Sequence, residues 1–166
     1  MRWIVPTLLG AACFTAATPA DAQVTQSSGI SLRAGLFFPS DSAARDEGAS
    51  WFAFGADYRL GDLQLGMTPG YTAHLSLSAD VFSKGDYRNV PVLLNYVGRT
   101  SEFYYSAGAG FGFGRVAGEA RTRFAYALGV GYDFMQGAMP LFAEAKYFGS
   151  SDSALNGFAV FVGIRL

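Results

Sequence analysis

The amino-acid sequence predicts an all-β fold, an eight-stranded up-and-down antiparallel transmembrane β-barrel, and three observations carry the prediction. Apolar residues recur with period two rather than 3.6. In each alternating segment one face is apolar and uncharged, while the other holds small residues and the charges. The composition is 51% hydrophobic and 16% aromatic, yet 21 of the 166 residues are glycine. An interior glycine costs a helix roughly 1 kcal/mol relative to alanine, so these stretches are not helices. Disorder is excluded by the aromatics and the low net charge. Twelve Lys and Arg against thirteen Asp and Glu leave a formal charge of −1, and no basic tract exists, which excludes a nucleic-acid binder.

Residues 1–22 read as a cleaved signal peptide. Arg2 supplies the positive start, Leu8 to Phe14 the apolar heart, and Ala20-Asp21-Ala22 an A-x-A site with cleavage before Gln23. Pro6, Pro19 and three threonines make the segment a poor transmembrane anchor. Cys13 offers a lipoprotein cleavage as a second reading, but Leu9 sits one place too early for that motif. Cleavage before Gln23 removes the only cysteine and leaves residues 23–166 as one barrel domain.

Eight strands follow, at residues 30–38, 52–60, 73–82, 89–97, 103–114, 124–134, 141–148 and 158–166. The fifth is the clearest: Phe103, Tyr105, Ala107, Ala109, Phe111 and Phe113 oppose Tyr104, Ser106 and four glycines. The sixth repeats it, with Phe124, Tyr126, Leu128, Val130, Tyr132 and Phe134 on one face. The fourth is less regular, with Pro91 in its middle. Connections at 39–50, 61–70, 83–86, 98–102, 115–123, 135–140 and 149–156 carry turn chemistry.

Which face is wet decides the class. A soluble barrel turns its apolar face inward, whereas a membrane barrel turns it to lipid and keeps a polar lumen. The small-residue face has too little volume for a dry core and suits a narrow lumen around a few charges. Trp51, Tyr58, Tyr71, Tyr96, Phe103, Phe124, Tyr132, Phe134 and Phe158 fall at or near strand ends, the heights of aromatic girdles. A secreted soluble barrel for an apolar ligand is an alternative that requires the aromatic faces to point inward.

The signal with Ala20-Asp21-Ala22, the aromatic and glycine strand at 103–114 and the final segment GFAVFVGIRL at 157–166 resemble the small OmpA-type outer-membrane β-barrel family. The resemblance covers residues 29–166 and is architectural, a pattern shared by porin-like barrels of many functions. It implies an outer-membrane location, lipid and the barrel assembly machinery as partners, and both termini in the periplasm. It also implies an assembly signal on the last strand, carried here by Phe158, Val160, Val162 and Ile164, with Leu166 standing where the family has an aromatic residue. With that orientation, Arg33, Asp57, Arg59, Asp133, Glu144, Lys146 and Arg165 fall in the periplasmic half of the lumen. Unpaired buried charge is expensive, so they are expected to pair across the lumen and plug it.

No catalytic site is expected. His74 and Ser76 form an H-x-S pair like that of lipid A deacylase barrels, a lipid-modifying alternative. They fall early, on the lumen face, with no Glu nearby. One histidine and no mature cysteine give no metal site, and no cofactor is expected. The glycines of 108–114 alternate strictly and precede no helix, which separates them from a nucleotide loop. Arg115, Glu119, Arg121 and Arg123 carry a net charge of +2 and read as a solvated outward loop, with contact to anionic lipid headgroups as the alternative. The expected protein is a monomer with a structural or surface-interaction role, its loops meeting a partner outside the cell.

Overall fold

The computed structural model describes residues 28–63, 70–116, 118–135, 139–151 and 153–166. The signal segment expected at 1–22 lies outside them. Eight strands close into one antiparallel barrel in sequence order: β1 (Ile30–Pro39), β2 (Trp51–Leu63), β3 (Tyr71–Lys84), β4 (Tyr87–Thr100), β5 (Phe103–Val116), β6 (Glu119–Met135), β7 (Leu141–Ser150) and β8 (Gly157–Arg165). Each strand pairs with its neighbours, and β1 closes the ring against β8 from Ser31↔Arg165 to Pro39↔Gly157. Closure removes the edges that so apolar a sheet would otherwise present for aggregation.

All eight expected strands exist, and most run further than the turn signals suggest. Gly61 and Gly98 lie inside β2 and β4 rather than opening loops. At Gly98 a Cβ would stand 2.5 Å from the Tyr105 ring and closer still to the Tyr71 hydroxyl. The glycine is therefore a seat for two tyrosines on the outer wall, and β4 continues through it to Thr100. The segment expected as the loop 115–123 is mostly hairpin, paired up to Val116↔Glu119. The 39–50 connection contains a one-turn helix, α1 (Ser42–Asp46), capped by Asp41, whose carboxylate accepts from the backbone N–H groups of Ala43 and Ala44.

The alternation sorts as the sequence implies. Phe52, Phe54, Leu77, Leu94, Phe111, Leu128, Val130, Val160 and Val162 face outward and are exposed. The aromatic faces thus point away from the lumen, opposite to what a soluble barrel for an apolar ligand requires. Trp51 departs from the expected girdle. It shares the inward parity of Ala53, is 1% exposed, and donates its indole N–H to the Gly48 carbonyl at 3.0 Å. Its place at a strand end gives its height; its parity puts it inside.

Candidate functional site: the filled lumen

The interior has two kinds of filling. Toward the end formed by the 39–50, 85–86 and 151–156 connections, it is aromatic. Phe37 stacks on Phe82 with centroids 4.0 Å apart, Trp51 lies 5.4 Å from Phe37, and Phe148 lies 5.3 Å from Phe82. Phe161 and Leu93 are fully buried beside them. Ala44 of α1 and Leu155 of the 3-10 turn Ser153–Leu155 are buried at this mouth. The sequence places Phe37, Phe82, Phe148 and Phe161 on the small-residue face, so their inward direction was visible. Their convergence into one layer was not, because register across the ring decides it.

Below this layer, at mid-height, lies the first charged cluster. The Arg33 guanidinium donates from Nε to Asp80 at 2.8 Å, bonds Asp57 through Nη1, and lies 3.5 Å from a Glu144 oxygen. Lys146 Nζ sits 3.8 Å from Asp80 and 4.0 Å from Glu144. Both cations also face the aromatic layer, Arg33 over Phe161 at 5.2 Å and Lys146 over Phe148 at 5.6 Å. Gly55 makes room for this arrangement. A Cβ there would collide with the Asp80 carboxylate and stand 2.7 Å from Arg33 Nε.

The second cluster lies toward the end carrying the chain termini. Asp133 accepts from Arg165 Nη2 at 2.8 Å through one carboxylate oxygen and from Arg99 through the other. The two guanidinium groups lie 5.1 Å and 4.9 Å from the Tyr104 ring, and Arg165 also covers Phe142 at 4.5 Å. Charge balances across the tiers. Mid-height holds two cations and three carboxylates, the lower tier two cations and one carboxylate. Four charges of each sign suit a confined space where each uncompensated ion costs several kcal/mol.

Of the seven residues expected in the lumen network, six take part: Arg33, Asp57, Asp133, Glu144, Lys146 and Arg165. Arg59 does not. β1 begins opposite Tyr58, so Arg59 stands past the end of that strand, where the register slips between Arg59 and Gly61. Its exposed side chain pairs with Asp62 instead. Two members were missed. Asp80 has the right parity but lies at mid-height rather than near the termini, which is also where Arg33, Glu144 and Lys146 meet it. Arg99 lies on β4, although Gly98 before it reads in sequence as the opening of a loop.

His74 and Ser76 lie on β3, and no hydrogen bond engages the Ser76 hydroxyl among the described residues. The two residues share a face of the strand two positions apart, and the imidazole of His74 makes no hydrogen bond to that hydroxyl. Among the described residues no group of three His, Cys, Asp or Glu side chains is arranged to hold a metal ion. The candidate assembly residues Phe158, Val160 and Val162 form an exposed outward row, with Ile164 half-buried below them. Leu166 follows the strand, its backbone N–H donating to the Ile30 carbonyl at 2.8 Å.

No family model matches the chain, and no curated protein matches it. Among solved structures, it is similar to the backbone structure of the Yersinia pestis outer membrane protein Ail in a phospholipid bilayer nanodisc. The match has a TM-score of 0.46 and 15% sequence identity, over 83% of this chain and 99% of that one.

Proposed function

We propose that the chain is an integral outer-membrane β-barrel with a structural or surface-interaction role, its lumen plugged by its own side chains. One observation carries the membrane assignment: the outer wall is apolar around the ring while the buried ion pairs face the lumen. On β5 the outward apolar row runs from Phe103 to Phe113. At roughly 3.4 Å per residue and a tilt of about 40°, that row spans a height of about 26 Å, matching the apolar band of about 25 Å in membrane barrels. Exposed patches on soluble monomers reach only a few hundred Å². A continuous circumferential band of this height has lipid as its natural solvent.

The plug reading rests on the two fillings, the aromatic layer and the balanced charge tiers beneath it. An OmpA-like architecture, export by a signal peptide, assembly through the last strand and a monomeric state belong to the same proposal. So does the absence of catalysis, which the lack of a base hydrogen-bonded to the Ser76 hydroxyl among the described residues supports.

Planar-bilayer recording tests the plug. Wild-type protein is expected to give no sustained conductance, and Glu144→Ala, which loosens the mid-height tier, is expected to give intermittent openings. Large, steady wild-type conductance contradicts a plugged lumen.

A further inference from the structure

On the outer wall, two arginines stand side by side at the border of the apolar band. Arg88 of β4 and Arg115 of β5 are direct cross-strand partners, one step above Asn89↔Gly114 and two above Val90↔Phe113. Asn89 is buried in the lumen, so Arg88 points outward, as does Arg115 by the alternation that exposes Phe111 and Phe113. Both are exposed, and neither has an ion-pair partner among the described residues.

Directly opposed like charges destabilise a sheet, with Cβ atoms about 5 Å apart. Elsewhere in the molecule, neighbouring cations share a carboxylate, as Arg99 and Arg165 share Asp133. Here no carboxylate among the described residues is shared. The pair lies about 7 Å along the strand from the last apolar pair, or about 5 Å higher at the usual tilt. At that height a membrane presents phosphate groups, and two guanidinium forks can chelate a phosphate's oxygens. The outward rows of β1, β2 and β8 end toward this rim in Phe38, Phe52 and Phe158, so on those strands the rim is aromatic rather than basic.

We propose that Arg88 and Arg115 together bind the phosphate of one lipid headgroup at the rim away from the chain termini. This rests on the membrane reading above. The lipid supplies the charge that the pair lacks, and its acyl chains lie along Val90, Phe111 and Phe113 below.

The test uses barrels refolded into phosphatidylcholine nanodiscs doped with phosphatidic acid, then released and weighed by native mass spectrometry. Wild-type protein is expected to retain phosphatidic acid above its share of the lipid, with retention falling about tenfold in R88Q/R115Q. Arg45→Gln, which removes one charge from α1 at the same end, is expected to retain it. Equal retention by wild type and double variant overturns the site while leaving the membrane reading intact. Failure of the wild type to insert overturns both. A third arm distinguishes the source of the phosphate: inorganic phosphate at millimolar concentration is expected not to displace the lipid. Displacement would overturn the lipid assignment in favour of a free-anion site.

Discussion

Inside the barrel, the guanidinium of Arg33 meets Asp80, Asp57 and Glu144 and lies over Phe161. Removing it leaves three carboxylates with only Lys146 to compensate them, and breaking a buried pair costs about 3–5 kcal/mol. Arg33→Met is therefore expected to lower unfolding stability by that amount in denaturant titrations of vesicle-inserted protein. Combining it with Asp80→Asn should restore about 1 kcal/mol or more, because one stranded charge disappears. A loss below about 1 kcal/mol for the single variant would mean that water screens the cluster. The sequence disclosed most of this network through parity, since Arg33, Asp57, Glu144 and Lys146 all lie opposite apolar faces. It misplaced Arg59 because only the bulge between Arg59 and Gly61 and the start of β1 show that this arginine has passed the barrel's end. It passed over Arg99 because a glycine before an arginine reads as a turn, whereas Gly98 is the seat of two tyrosines on a continuing strand.

Strands differ in how plainly they announce themselves. β5 and β6 alternate large and small side chains almost without interruption, so their existence and their inward faces were legible. Their far ends were not: the pairing of Arg115 with Ala120 and of Val116 with Glu119 depends on a partner strand and not on local propensity. The aromatic layer is an assembly of elements, with Phe37 from β1, Trp51 from β2, Phe82 from β3 and Phe148 from β7. Trp51 reports on it directly. In protein lacking residues 1–22 it is the only tryptophan. Its fluorescence is expected to be blue-shifted and little affected by lipids brominated along their acyl chains. Strong, depth-dependent quenching would return Trp51 to the outer girdle and remove the aromatic plug. The same layer stacks directly on the charged tier through Phe161 and Phe148, so the two fillings form a continuous column.

For the whole molecule, the composition that looks contradictory in sequence acquires a geometry. The apolar half of each strand forms an uninterrupted outer wall. Glycines such as Gly55, Gly131 and Gly163 make room for large interior groups, and four charges of each sign are gathered into the lumen, where they neutralise one another. Closure of β1 on β8 makes these relations consistent, since a slip of one residue in any pairing would turn a strand's charges to the outer wall. The most direct test of this inside-out arrangement is photolabelling in vesicles that carry a carbene precursor on the lipid acyl chains, with labelled residues mapped by mass spectrometry. Labels are expected on Leu94, Phe111, Leu128 and Val162, and not on Phe37, Phe82, Asp80 or Lys146. Labelling of the second set, or protection of the first, would contradict a lipid-facing wall around a filled lumen.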